Sequence, residues 1–422
     1  MSRSLFYSSI SAGSALLMLL LLVLAGREWG VDGLGPFSYA IGLATIAEVF
    51  MDFGLHQVTI RTVARDTTQA GRLLHTSIAL KAAPGLAMIL LFGLGATLLR
   101  ADPIVRAACW LMLGSAAMRS YLLTARGVLQ GLERFGDDAL ITVGDRLLLL
   151  VACGTALWLH AGVITVCLVF LVVRAFTAAA ALLLAKLRAG HGAIDRELWR
   201  RLPGEAVPLG LFLLVLNVYN RVDTVMLGSM AGDPNRSTGL YGAAYQLYEG
   251  STYPAAIVAA VLIPRLSRLI GNQTAEYRHL VRTGLAGVLA VALIVLAVGW
   301  PLVGWGIRLT YGGEFDMASH TLRILLAGLP AVYATWVLHA VAMSAHRNKQ
   351  LLWATGIGTA FNIALNSLLI PRYAHDGAAL ATVASEYVVT AMLWIGLRPA
   401  WNLRAVKSTG AADPVGSSPG RQ

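Results

Sequence analysis

Residues 208–249 read PLGLFLLVLNVYNRVDTVMLGSMAGDPNRSTGLYGAAYQLYE, and how this stretch is read decides the fold. Its first twenty or so residues are apolar enough and long enough to cross a bilayer. Yet Arg221 and Asp223 sit well inside that run. A polar turn over 232–235 follows, and then a second apolar run that holds Glu249. A charge at mid-bilayer costs roughly 2.5–3.5 kcal/mol on insertion scales, so such residues face a protein interior or a wet cavity. The stretch therefore predicts two helices of a membrane protein whose embedded charges look inward.

The rest of the chain agrees with this reading. Its 422 residues are 57% hydrophobic and 13% charged, with a mean hydropathy of +0.67. A soluble domain carries about 25% charged residues. Apolar runs predict six spans before the quoted stretch, over 7–26, 37–60, 73–99, 104–125, 139–159 and 163–184. The quoted stretch, continued to 264, gives the seventh and eighth. Further spans follow over 283–307, 320–344, 351–370 and 378–400. The expected architecture is an all-α polytopic membrane protein of about twelve helices. Its parts are an N-terminal lobe over 1–184, a basic inter-lobe loop over 185–205, a C-terminal lobe over 206–400 and a disordered tail over 401–422.

An internal echo supports two lobes. Ala25-Gly26, a polar turn and Gly35-Pro36-Phe37-Ser38-Tyr39-Ala40 close the first hairpin, while Ala231-Gly232, a polar turn and Gly239-Leu240-Tyr241-Gly242-Ala243 close the seventh–eighth hairpin. Six spans per half give parallel repeats, which place a substrate between them.

The formal net charge of +11 does not point to nucleic acid. About two thirds of the 33 Lys and Arg residues fall on alternate loops, the positive-inside pattern, which predicts both termini in the cytoplasm. Cys109, Cys153 and Cys167 all lie in apolar runs without a Cys-x-x-Cys pair, which argues against a disulfide framework or a zinc site. No His-x-x-x-His or phosphate-cradling Gly-rich motif occurs, so no metal or other cofactor is expected.

The spans hold the basic residues Lys81, Arg119, Arg146, Arg174, Arg221 and Arg323 and the acidic residues Glu48, Asp52, Asp145, Asp223, Glu249 and Glu386. Arg323, near a helix end, reads as snorkelling. A first lobe biased positive suits an anionic ligand. Glu48 and Asp52, four apart, share a helix face. They either share a proton or cation, or form two ion pairs with Lys81 and Arg146. Trp29, Trp305, Tyr373 and Trp401 read as interfacial anchors.

From Arg221 onward, Asp223-Thr-Val-Met-Leu-Gly228, Gly239 to Tyr245, Tyr311-Gly-Gly-Glu-Phe315, Asn362-Ile-Ala-Leu-Asn366, Ile370-Pro371, Gly377 to Ala381 and Ser385-Glu386 occur in order, with Asp52-Phe-Gly-Leu55 in the first half. Together these resemble the polysaccharide-biosynthesis flippases, O-antigen-unit type included, of the multidrug/oligosaccharidyl-lipid/polysaccharide (MOP) exporter superfamily. The resemblance implies two six-helix lobes around a central cavity and no enzymatic activity. It implies transport of an undecaprenyl-diphosphate-linked oligosaccharide across the bacterial inner membrane by alternating access. It also implies membrane lipids, a polysaccharide polymerase and a chain-length regulator as partners. On this reading Lys81, Arg119, Arg146, Arg174 and Arg221 contact the diphosphate head, and Glu48, Asp52, Asp223 and Glu249 are the proton or sodium coupling candidates. A drug or cation antiporter of the same superfamily is the alternative. A glycosyltransferase or polymerase would need a large external loop with catalytic acids, and a scaffold would not need embedded charges.

Overall fold

The computed structural model describes residue 13 and residues 15–269 and 274–401. The start of the first span and the tail beyond 401, expected to be disordered, lie outside the described residues. Among the described residues there are twelve α-helices: α1 (Ala15–Asp52), α2 (Leu55–Arg65), α3 (Ala70–Leu99), α4 (Pro103–Gly131), α5 (Phe135–Trp158), α6 (Val163–Ala189), α7 (Arg196–Met230), α8 (Pro234–Leu269), α9 (Thr274–Thr310), α10 (Ala318–Leu326), α11 (Leu329–Ser344) and α12 (Asn348–Trp401). Two of these fold back on themselves. α1 breaks at Gly30, whose φ of 64° is open to glycine at no steric cost. α12 breaks at Ala374, with φ 48°. α2 prolongs the second limb of α1 past a kink at Phe53-Gly54, and α10 and α11 form one span bent by 46° ahead of Pro330. Counted this way the chain crosses twelve times, six before and six after residues 190–195.

By length and composition α3 (with the short 3-10 turn before it), α5, α6, α7, α9 and α12 are each apolar enough to cross a membrane, and the bent α10–α11 pair adds a seventh. Their outer surfaces carry exposed apolar rows such as Leu86, Leu90, Leu94 and Leu98 on α3, which fit lipid rather than water. The cysteines are free and buried. Trp29 is more than an anchor, because its Nε1 donates to the Ala161 carbonyl at 2.9 Å and ties α1 to the α5–α6 turn.

The turns alternate between two faces. One holds Gly30, the α3–α4 and α5–α6 turns, 231–233, 311–317 and Ala374, and is here the hairpin face. The other, the basic face, holds 66–69, 132–134, 190–195 and 345–347. On the hairpin face the two echoed segments pack against each other. A Cβ added to Gly35 would lie 1.9 Å from the Asn235 carbonyl oxygen, and one added to Gly239 would lie 2.1 Å from that of Val31. The Arg100 guanidinium donates to Asn235 Oδ1 at 2.5 Å, and Asn235 Nδ2 donates to Asp102 Oδ2 at 2.8 Å. Arg27 donates through Nε to the Thr310 carbonyl at 2.6 Å. First and second lobes are thus seamed together on this side.

On the basic face the structure differs from the sequence expectation. The segment 185–205 is not a loop throughout, for only 190–195 lies outside helix. Asp195 caps α7 by accepting from the Glu197 and Leu198 amides at 2.8 and 3.2 Å. The Leu198 amide chiefly holds its carboxyl below the usual carboxylate range. The cap's contribution is therefore present above that range and fades as pH falls through the lowered value. Leu198, Leu202 and Ala206, four apart, then form a stripe that joins the core of the first lobe. α7 starts on one lobe and ends in the other.

Candidate functional site

A cavity of about 320 Å³ lies between the lobes. The first lobe contributes Glu48 from α1, Arg119 from α4, Arg146 from α5 and Arg174 from α6. The second contributes Asn217, Asn220 and Arg221 from α7 and Gln246 and Glu249 from α8. Four of the five basic residues singled out in the sequence, and two of the four acids, therefore meet at one chamber.

The pairing inside it is uneven. Arg119 Nε lies 3.3 Å from Glu48, and Arg221 Nη2 lies 3.2 Å from Glu249 while its guanidinium stacks over Tyr245 at 5.6 Å. Arg174 and Asp145 form a buried pair, and the Thr177 hydroxyl donates to the other Asp145 oxygen at 2.9 Å. The Nε of Arg174 is buried without a hydrogen-bond partner among the described residues. Arg146 has no carboxylate in ion-pair range among the described residues. Its guanidinium forks are open to a ligand, and they match the paired oxygens of phosphate.

Lys81 and Asp52 are not at this chamber. Lys81 Nζ donates to Asp52 Oδ1 at 2.5 Å, to the Ser120 carbonyl at 3.0 Å and to Thr124 Oγ1 at 2.7 Å, and both side chains are buried within the first lobe. An ammonium has three donors and all three are met, so nothing remains for a ligand. The shared face of Glu48 and Asp52 accordingly resolves into two ion pairs, with Arg119 instead of Arg146 holding Glu48.

Asp223 is also away from the chamber, within the second lobe, and it meets no cationic side chain among the described residues. Its oxygens accept from Tyr241 at 2.9 Å, from Thr382 at 2.6 Å and from Asn366 Nδ2 at 2.6 Å. Asn366 Nδ2 also donates to Asn362 Oδ1 at 2.9 Å, and Asn366 Oδ1 is buried without a partner among the described residues. Three neutral donors thus hold the carboxylate, and Asn362 Oδ1 and Asn366 Oδ1 add oxygens of the kind a hard cation takes nearby. The sequence signal was the Asn362–Asn366 pair, four apart on one face of an apolar span. It entered the motif reading but was given no role.

A family model described as polysaccharide biosynthesis protein matches residues 2–270, and one described as lipid II flippase MurJ matches residues 255–411. No curated protein matches the chain. Among solved structures, an inward closed conformation of the lipid II flippase MurJ superposes with a TM-score of 0.76 at 14% identity, covering 93% of this chain and 87% of that one. An inward-facing multidrug resistance MATE family transporter of the MOP superfamily gives 0.70 at 15% identity, with coverage of 95% and 98%. A MOP superfamily transporter from Pyrococcus furiosus, described as having a binding pocket of reverse polarity, gives 0.64 at 15% identity, with 94% of each chain covered. At these identities the structures establish the two-lobe MOP fold.

Proposed function

Because this chain belongs to the polysaccharide biosynthesis protein family, a family of transporters and not of catalysts, we propose that it flips a lipid-linked oligosaccharide across the membrane. The lipid is undecaprenyl diphosphate, the membrane is the bacterial inner membrane with both termini cytoplasmic, and the cargo is a unit of O-antigen, capsule or exopolysaccharide. Polymerase and chain-length regulator then act on what it delivers. The observation that carries this reading is the convergence of Arg119, Arg146, Arg174 and Arg221 on one chamber that only Glu48 and Glu249 line as acids. A diphosphate sugar head cannot cross hydrocarbon unaided, and a cationic chamber between rocking lobes replaces its hydration while the lipid tail stays in the bilayer. The same surplus of positive charge disfavours a cationic drug as cargo.

Ion coupling is part of the proposal. The oxygen set around Asp223, with its orphaned Asn366 Oδ1, would hold sodium or a proton, and Glu48 and Glu249 are the chamber's own carboxylates.

The decisive variant is Arg146→Ala, because it removes a guanidinium that makes no hydrogen bond or ion pair to any described residue. In vesicles loaded with fluorescent polyprenyl-diphosphate sugar, we expect flipping to slow at least about tenfold, the loss of one charge-assisted hydrogen-bonding group. Thermal stability in detergent should not fall. Wild-type flipping by this variant overturns the cationic-chamber reading.

A further inference from the structure

The two walls of the chamber differ in chemistry. The first lobe presents three guanidiniums, whereas the second places three primary carboxamides beside its single Arg221–Glu249 pair. Asn217 and Asn220, three apart on α7, share the face that carries Arg221, and Gln246 lies one turn before Glu249 on α8. The Asn217 amide donates back to the Leu213 carbonyl at 2.8 Å, which leaves its Oδ1 free. Asn220 and Gln246 make no side-chain hydrogen bond to any described residue. Asn220 is exposed and Asn217 and Gln246 are half-buried, so their amide groups are open to the chamber. Three of them on one wall suit a ligand that is polar and uncharged.

Resting on the flippase reading, we propose that Asn217, Asn220 and Gln246 form the surface that reads sugar hydroxyls, opposite an arginine wall that reads phosphate. A carboxamide offers two donors and an acceptor, and a sugar hydroxyl is both donor and acceptor, so each amide can bridge two neighbouring hydroxyls. Phosphate oxygens only accept, and they are served better by Arg146, whose guanidinium lines the same chamber. The wall selects among sugars by whether hydroxyls stand where the amides can meet them. A sugar that lacks one leaves an amide unpaired, a penalty binding cannot recover elsewhere.

The test compares two lipids in nanodiscs carrying the full-length protein: polyprenyl diphosphate bearing one uncharged hexose, and the same polyprenyl diphosphate without sugar. Wild type should bind the sugar-bearing lipid more tightly. Asn220→Ala and Gln246→Ala should each weaken its binding about tenfold while the bare diphosphate binds as to wild type. Arg146→Ala should weaken both lipids alike. If the amide variants weaken both lipids equally, or neither, the sugar-reading wall is wrong while the flippase reading stands. If wild type binds neither lipid, the flippase reading itself falls, and this inference with it.

Discussion

At the scale of single residues, the embedded charges divide into those that hold the protein together and those that face a ligand. Lys81–Asp52 and Arg174–Asp145 are buried pairs, and removing one member strands the other in a medium of low dielectric. Lys81→Met alone should therefore cost about 3–5 kcal/mol of stability, whereas Lys81→Met with Asp52→Leu should restore most of it. Thermal unfolding of the two purified variants measures the difference. Arg174→Ala, although it too lines the chamber, would confound transport with folding for the same reason. That such residues look inward was legible from the sequence, because insertion cost alone demands it. Which acid meets which base was not. Glu48 lies one turn from Asp52, yet the two turn to different cations, since partners are set by neighbouring helices and not by spacing along one.

At the scale of elements, the apolar runs were readable because bilayer thickness fixes their length. The breaks within α1 and α12 also fell where turns were expected, near Gly30 and Ala374. The helical start of α7 was hidden among basic residues that read as loop, because its apolar stripe needs the first lobe to pack on before it shows. The echoed hairpins were visible in sequence, but not that they press on one another. Gly239→Leu tests that seam. Its side chain would collide with the Val31 carbonyl, and overpacking of this kind costs about 1–3 kcal/mol. The seam should part, so that a cysteine placed at Ser38, in a background lacking the three native cysteines, reacts faster with a water-soluble maleimide than it does beside the native glycine. Unchanged reactivity would mean that the seam relaxes without opening.

At the scale of the whole molecule, the two-lobe plan followed from six crossings on either side of residues 190–195. The sidedness rests on the excess of Lys and Arg on one face. An impermeant maleimide applied to intact cells should label a single cysteine introduced at His160, on the hairpin face, and spare one at Ala193, on the basic face. The reverse pattern would invert the proposed direction of transport. α7 adds a mechanical consequence. It is rooted among the helices of the first body by Leu198, Leu202 and Ala206, and it ends deep in the second, where Asp223 is held. Neither half can tilt without flexing this rod. Pro203 and Pro208 lie on its first-lobe half, where Gly210 still packs on the Phe53 backbone, and neither ring nitrogen can donate to the helical ladder. Any swing between the halves must bend this helix, which behaves as a leaf spring clamped at both ends.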